Sequence, residues 1–214
     1  MPTFETPEGP LDVTLTRLVV AGWTGRDADA VRHHVEELAE IGVPRPSTVP
    51  LFYEVSPSLA TQDAEIAVLG PETSGEAEPF VLRAGGRLWL GLASDHTDRW
   101  LEATSVAHAK QACPKVLGRE LWPLDPDDAG LDGMTLRTVI DGGTEYQSGT
   151  LAQILPIRSL LNRADLEDGT GMLCGTLPAI GGVRPAARYE MTLGDGEGRR
   201  IGLTYGVRVL DVVS

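Results

Sequence analysis

The chain has 214 residues, which suffices for one sizeable hydrophobic core, so we predict a single domain over residues 1–214. Its 18 lysine and arginine residues and 31 aspartate and glutamate residues give a net charge of −13, which repels phosphate backbones and anionic lipid headgroups. Nucleic acid and membranes are therefore disfavoured as partners.

The N-terminal sequence MPTFETPEGPLD has no basic region followed by an apolar one, and no stretch approaches the roughly 20 apolar residues that span a bilayer. We therefore expect a cytoplasmic protein. In that compartment Cys113 and Cys174, which lack C-x-x-C spacing, are expected to be free thiols rather than a disulfide.

The first predicted elements are a strand and a helix. The segment DVTLTRLVVAGW alternates and then becomes apolar, which is typical of an opening strand. Asp27 can cap a following helix, which Gly42 would end. The residues that recur at helical spacing between them are Val31, His34, Val35, Leu38 and Ile41.

After this helix the chain is mostly strand-like. The β-like runs, separated by glycine and proline, are LFYEV, EIAVLG, PFVLRAGGRLWLGLA, MTLRTVIDGG, GMLCGT and RYEMTLGDGEGRRIGLTYGVRVLDVV. One short helix is predicted within AQILPIRSLLNRADL, and GDGEGRR is interpreted as a hairpin turn because it opens no helix. The sequence thus predicts a strand-dominated α+β fold.

The stretch VLRAGGRLWL predicts a β-hairpin whose register can be counted. If the two glycines form a two-residue primed turn, Ala84 pairs with Arg87, and counting outward places Glu76 opposite Asp95. Glu78 lies two residues from Glu76, so the pleat directs all three carboxylates to one side of the sheet.

Three carboxylates this close cannot all stay ionised unaided, because each raises the pKa of the others. Either they hold a cation or they lie apart. Oxygen ligands without histidine or cysteine favour a hard divalent cation, with Mg²⁺ first and Mn²⁺ or Ca²⁺ as alternatives. The competing interpretation is a polar strand edge with Glu76 and Glu78 in solvent.

Lysine is rare in this chain: arginine supplies 16 of the 18 basic residues, and the only lysines are Lys110 and Lys115. Each is either a solvated surface ammonium or a residue with a particular role. His96, next to Asp95, is interpreted as a polar turn residue, with a place beside a metal site as the alternative.

Several stretches, taken in chain order, resemble the fumarylacetoacetate hydrolase family. GEAEPFVL resembles that family's E-x-E strand, and SDHTDR its N-D-x-[ST]-A-R segment. DGGTEYQSGTLAQIL is similar to N-G-x-x-x-Q-x-G-x-T, and LEDGTGMLCGTLPAIGG to L-x-x-G-D-x-I-x-T-G-T-P-x-G-V-G. RHHVEELAE resembles the H-x-x-E of the family's lid helix, so the matches cover roughly residues 12 to 210.

The resemblance implies a mixed β-roll with a short lid helix near the N-terminus, assembled as a homodimer. It assigns the metal ligands to Glu76, Glu78 and Asp95 and the catalytic roles to His34, Glu37 and Lys110. It also assigns substrate contacts to Arg99, Gln147 and Thr176. The alternatives without a functional role are a half-buried helix residue for His34 and a turn residue for Thr176.

This similarity implies a hydrolase that cleaves a carbon–carbon bond in an acylpyruvate or other β-dicarbonyl or 2-oxoacid substrate. A divalent cation would stabilise the enolate, and His34 with Glu37 at i,i+3 would activate water. The alternatives are a lyase on the same scaffold, a decarboxylase or hydratase, and a non-catalytic protein that binds a small molecule. One departure bears on the substrate: the family's D-x-Q after A-R is replaced by Trp100, Leu101 and Glu102.

Overall fold

Strands dominate the computed structural model, which describes residues 1–40 and 44–213, with only the backbone described at 34 and 38. The strands are β1 (Thr3–Thr6), β2 (Gly9–Asp12), β3 (Arg17–Gly22), β4 (Leu51–Val55), β5 (Ala60–Thr61), β6 (Glu65–Leu69), β7 (Thr73–Ser74), β8 (Ala77–Ala84), β9 (Arg87–Asp95), β10 (Thr97–Asp98), β11 (Lys115–Leu117), β12 (Trp122–Pro123), β13 (Thr135–Ile140), β14 (Thr144–Thr150), β15 (Thr170–Leu173), β16 (Arg188–Gly194) and β17 (Arg200–Leu210). The α-helices are α1 (Ala28–Glu40), α2 (Arg99–Glu102), α3 (Val106–Ala112) and α4 (Ile157–Ala164). The strand-dominated α+β prediction is confirmed.

Two sheets enclose the larger core. The eight-stranded sheet has the order β4-β3-β15-β8-β9-β11-β5, with β12 paired to β9, and mixes parallel and antiparallel neighbours. The five-stranded sheet has the order β14-β13-β16-β17-β6. Side chains such as Val19 and Val81 of the first sheet and Leu136 and Met191 of the second belong to one buried apolar cluster.

The large sheet is buried on its other face as well. Residues that alternate with the first set, such as Leu18 and Phe80, pack in a second cluster with Phe4 of the β1–β2 hairpin. Burial on both faces explains why its strands are almost continuously apolar in sequence. The N-terminal hairpin that covers this face was not predicted, and the opening strand, expected from residue 12, begins at Arg17.

The register of the β8–β9 hairpin is the one counted from the sequence. The φ angles of Gly85 and Gly86 are +62° and +72°, as a type I′ turn requires, and Ala84 pairs with Arg87. At the far end the Asp95 N–H donates to the Glu76 carbonyl oxygen at 3.0 Å. The hairpin therefore brings the predicted carboxylates together.

The predicted N-terminal helix is confirmed as α1. The Asp27 Oδ1 atom accepts hydrogen bonds from the N–H groups of Asp29 (3.0 Å) and Ala30 (3.1 Å), which satisfies the first turn. Ile41 and Gly42, expected at its end, lie outside the described residues. Within residues 1–40 and 44–213, the chain forms no helix that is both long and apolar enough to cross a membrane.

Two short helices, α2 and α3, were not predicted because neither is long enough to show a helical period. Their signals were the caps alone: the side chain of Asp98 accepts from Leu101 N–H, and that of Ser105 accepts from His108 N–H. Helix α2 follows β10 directly and carries Arg99, and α3 comes next in the chain and carries Lys110. Both cysteines are buried free thiols, as predicted.

Candidate functional site

The three predicted metal ligands lie at one edge of the large sheet, where several strands end. Strands β3 and β15 are parallel, β8 is antiparallel to β15, β9 to β8 and β11 to β9. The carboxyl ends of β3, β15 and β9 therefore meet the amino ends of β8 and β11. This edge collects Glu76, Glu78, Asp95, Lys115 and Gly175 from segments distant in sequence.

Asp95 is the centre of the charged cluster. It is fully buried, its Oδ2 atom contacts the Lys110 ammonium, and its Oδ1 atom lies 2.9 Å from Lys115 Nζ. Lys115 Nζ also donates to the His96 carbonyl oxygen at 2.6 Å. Both lysines of the chain thus contact one aspartate, and a solvated surface position is wrong for each because both are buried.

The opposite charges of Asp95, Lys110 and Lys115 offset part of the cost of burying them. Burial alone would raise the pKa of Asp95, but the two ammonium groups outweigh it and lower that pKa. Burial alone would lower the pKa of Lys110, but the carboxylates of Asp95 and Glu78 raise it. The pKa of Lys115 is lowered, by burial first and also by the Lys110 charge, although Asp95 opposes this. Asp95 is therefore ionised and Lys110 protonated at neutral pH.

Glu78 and Glu76 complete the carboxylate group. Glu78 is buried, and its Oε2 atom accepts a hydrogen bond from Gly175 N–H at 2.6 Å. Burial, followed by the charge of Asp95, raises the pKa of Glu78 well above its usual range, and the charge of Glu76 adds to the shift. Glu76 is half-buried. A solvated strand edge is therefore wrong for Glu78.

Arg99 is held by three side chains. Its Nε donates to Ser74 Oγ at 2.7 Å, Nη2 to Glu76 Oε2 at 2.7 Å and Nη1 to Glu102 Oε2 at 2.8 Å. Burial alone would lower the pKa of Arg99, but Glu76 and Glu102 raise it. The sequence named Arg99 as a substrate contact, whereas the structure shows its guanidinium bound to two carboxylates.

Gln147 ties Thr176 to strand β8. It is fully buried, and its Oε1 accepts from Ala77 N–H (2.9 Å) and Thr138 Oγ1 (2.8 Å). Its Nε2 donates to Thr176 Oγ1 and to the Leu177 carbonyl oxygen, both at 2.7 Å. Because these four bonds use the whole capacity of the amide, we assign Gln147 to positioning Thr176 rather than to direct substrate contact.

The predicted dyad of α1 is only partly described. Glu37 lies 3.2 Å from His33 Nε2, one residue before its expected partner, and both side chains are more than half exposed. The side chain of His34 lies outside the described residues. The pairing of His34 with Glu37 therefore stays a prediction.

His96 is not the polar turn residue that the sequence indicated. It is fully buried, with Nδ1 3.0 Å from Tyr205 Oη and Nε2 2.9 Å from Thr73 Oγ1. Burial, followed by the Lys115 charge, lowers the pKa of His96 to about 3, so the ring stays neutral. Tyr205 lies 109 positions away, and no local pattern could have identified this partner.

The donor set fits a divalent cation. The three side chains offer oxygen ligands alone, and burial together with the charges of Asp95 and Glu76 raises the pKa of Glu78, a shift that a nearby cation would oppose. Across residues 1–40 and 44–213, no three histidine, cysteine or carboxylate side chains already form a metal cage. In this arrangement Lys110, Lys115 and Arg99 supply the positive charge instead.

The backbone at Gly175 permits this site to form. Its φ angle is +99°, and a Cβ atom there would lie 1.7 Å from Thr24 Oγ1. We expect Gly175→Ala to lower the free energy of unfolding by about 2–4 kcal/mol, from backbone strain and the clash with Thr24. Urea denaturation measures the loss.

A matched control separates the two contributions. Gly196 has a φ angle of +79°, but a Cβ atom there would meet nothing within 4 Å. Gly196→Ala should therefore carry only the backbone cost, about 1–2 kcal/mol. Equal losses in the two variants would contradict the close approach of Thr24 to Gly175.

The fold is that of structures in the fumarylacetoacetate hydrolase family. A candidate fumarylacetoacetate isomerase/hydrolase from Oleispira antarctica has a TM-score of 0.71 and 20% identity, covering 97% of this chain and 100% of its own. Maleylpyruvate hydrolase from Sphingobium sp. SYK-6, solved with manganese(II) and pyruvate, has a TM-score of 0.64 and 12% identity, covering 92% of this chain and 71% of its own.

A 2-keto-3-deoxy-D-arabinonate dehydratase also shares the fold, with a TM-score of 0.64 and 18% identity over 92% of this chain and 74% of its own. No curated protein matches the chain. The model of one protein family matches residues 21–205, and the chain belongs to that family, which is described as Protein of unknown function (DUF2848).

Proposed function

We propose that the chain is a divalent-cation-dependent hydrolase that cleaves a carbon–carbon bond in an acylpyruvate or another β-dicarbonyl or 2-oxoacid substrate. The observation that carries this proposal is the convergence of Glu76, Glu78 and Asp95 at one partly buried sheet edge, next to Lys110 and Arg99. The fold shared with hydrolases of such compounds supports it.

Glu76, Glu78 and Asp95 would hold the cation, which we expect to be Mg²⁺, with Mn²⁺ or Ca²⁺ as alternatives. When bound, a divalent cation accepts two substrate oxygens and stabilises an enolate as a Lewis acid. The manganese and pyruvate in the Sphingobium hydrolase support this ligand chemistry. We also expect the chain to form a homodimer, and light scattering tests this because it measures the mass of the particle in solution.

The chain's own residues supply the remaining chemistry. Lys110, kept protonated by Asp95, presents a fixed positive charge to an oxyanion. Thr176 Oγ1 donates to the Ala77 carbonyl oxygen at 2.8 Å, so its position is fixed from two sides. His34 on α1 would take a proton from water, with Glu37 orienting the imidazole.

A lyase is the second candidate. The dehydratase that shares the fold supports it. A decarboxylase needs no attacking water and a hydratase places solvent oxygen in a hydroxyl group, so ¹⁸O in a carboxylate product identifies the hydrolase.

The test is a panel of acylpyruvates, β-diketones and 2-oxoacids with metal-loaded protein in ¹⁸O-labelled water. A hydrolase incorporates ¹⁸O into a carboxylate product, and His34→Ala should lower kcat by about 10²–10⁴-fold while leaving the cation Kd nearly unchanged. His33→Ala is the matched control and should change kcat little. Turnover without ¹⁸O in a carboxylate product would favour the lyase, and no turnover would favour a binding protein.

A further inference from the structure

Arg99 donates a hydrogen bond to the chain's own side chains from each of its three nitrogen atoms. Nη1 and Nη2 each donate to a carboxylate, Glu102 and Glu76, and Nε donates to Ser74. The side chain of Glu102 is 29% exposed, against 15% for Arg99 and 13% for Glu76. Glu102 is therefore the most accessible member of this cluster.

The aromatic residue next to Lys110 is Tyr53. The charges of Lys110 and Glu102 both influence the Tyr53 phenol, and Lys110 Nζ lies 5.8 Å from the Tyr53 ring centre. Tyr53 Oη accepts a hydrogen bond from Trp23 Nε1 at 3.0 Å. Glu102 thus contacts Arg99 directly, and its charge adds to the rise in the pKa of Tyr53, which burial causes first.

The charge arrangement disfavours a substrate carboxylate at this position. A carboxylate that approaches Arg99 meets the charges of Glu102 and Glu76, which both repel it and already offset the charge of the guanidinium. A hydroxyl group can instead donate to Glu102, whose carboxylate has acceptor capacity beyond the one bond from Arg99.

We propose that Glu102 determines substrate specificity by selecting molecules whose end distant from the dicarbonyl group is a hydrogen-bond donor, such as a hydroxyl group, rather than a second carboxylate. This inference rests on the proposed function. It assigns Arg99 to holding Glu102 in place rather than to binding a substrate anion.

The test compares three ligands that differ only at the distal end, by calorimetry on the manganese-loaded protein. In the five-carbon series these are 2-oxopentanoate, 5-hydroxy-2-oxopentanoate and 2-oxoglutarate, and the six-carbon series repeats them. The hydroxyl ligand should bind most tightly, and the dicarboxylate about tenfold or more weakly than the hydroxyl ligand. Equal binding of dicarboxylate and hydroxyl ligand in both series would overturn the inference.

Glu102→Gln removes the charge and keeps the shape. It should strengthen dicarboxylate binding by about tenfold and change 2-oxopentanoate binding little. Glu72→Gln, the same change at an exposed residue whose carbonyl accepts from Arg99 N–H, should leave all affinities unaltered. Unchanged dicarboxylate affinity in Glu102→Gln would overturn the role of Glu102. If no 2-oxoacid binds, pyruvate included, the proposed function itself fails and this inference with it.

Discussion

Asp95→Asn is expected to lower the free energy of unfolding at pH 7 by about 3–5 kcal/mol, because it leaves two buried ammonium groups without their shared counter-ion. Lys115 is fully buried and Lys110 nearly so, which means that water cannot replace the lost carboxylate. Urea denaturation monitored by circular dichroism measures the change, and the slope should stay constant if both proteins unfold in two states.

The pH dependence of this effect has a defined sign. The folded-state pKa of Asp95 is lowered, so its contribution is fully present above the unfolded pKa of about 3.9 and is lost as pH falls through the folded value. The difference between Asp95→Asn and the unaltered protein should therefore narrow in acid. A difference independent of pH from 7 down to about 2 would contradict the ion-pair origin.

A second substitution tests the mechanism directly. Adding Lys115→Met to Asp95→Asn removes one of the stranded charges and should recover at least about half of the loss. Asp63→Asn, at an exposed aspartate, is the control for removing a negative charge and should fall within about 0.5 kcal/mol of zero. A double variant less stable than Asp95→Asn would mean that Lys115 stabilises the fold by packing rather than by charge.

The hairpin shows what sequence can specify. Two consecutive glycines fix the turn, the turn fixes the register, and a side-chain period of two then places Glu76 opposite Asp95. Each step is local and geometric, so it could be counted. The same count cannot tell whether the carboxylates face a metal ion or the protein's own cations, because those cations come from elsewhere in the chain.

The lysines and His96 show where local reasoning ends. The rarity of lysine marked Lys110 and Lys115 as unusual, but their shared contact with Asp95 depends on α3 and β11 returning to the end of β9. His96 is polar and next to a turn in sequence, yet Tyr205 and Thr73 satisfy both ring nitrogens inside the core. His96 is buried in this way only because the two sheets pack against each other.

The residues to which the family resemblance assigned roles fall into two groups. Glu78 and Lys110 are both buried in the charged cluster around Asp95, and their roles as metal ligand and catalytic residue stay predictions. Gln147 instead completes four internal hydrogen bonds, and Arg99 is held by Glu102, where the family motif has glutamine. A motif match does not fix such contacts, because they change with each neighbouring substitution.

Glu78→Gln is expected to have opposite effects on stability and on cation binding. Without a cation, Glu78 is buried beside Asp95, and its raised pKa means that folding at neutral pH must either bury its charge or add a proton to it, each of which costs stability. Glutamine removes that charge, and its amide oxygen can still accept from Gly175 N–H. The thermal midpoint of the cation-free protein should rise by about 2–4 °C for each kcal/mol recovered.

The sign of the pH dependence again follows from the direction of the shift. Because the folded-state pKa of Glu78 is raised, its contribution to the free energy of unfolding is fully present below its unfolded pKa, about 4.3. That contribution is lost as pH rises through the folded-state pKa. Glu78→Gln and the unaltered protein should therefore have similar stability near pH 4 and diverge above it, with the variant the more stable. This order is opposite to that expected for Asp95→Asn.

Cation binding should change in the other direction. Loss of one carboxylate ligand should weaken Mn²⁺ or Mg²⁺ affinity at least about 100-fold by calorimetric titration, so that saturating cation stabilises the unaltered protein far more than the variant. Glu72→Gln, exposed and outside the cluster, should change neither the midpoint nor the affinity. If Glu78→Gln destabilises the cation-free protein, its carboxylate is held by contacts stronger than its mutual repulsion with Asp95. If the Glu78→Gln variant binds the cation with unchanged affinity, Glu78 is not a ligand. A neutral amide cannot replace an anionic oxygen in a three-carboxylate site without a loss of affinity.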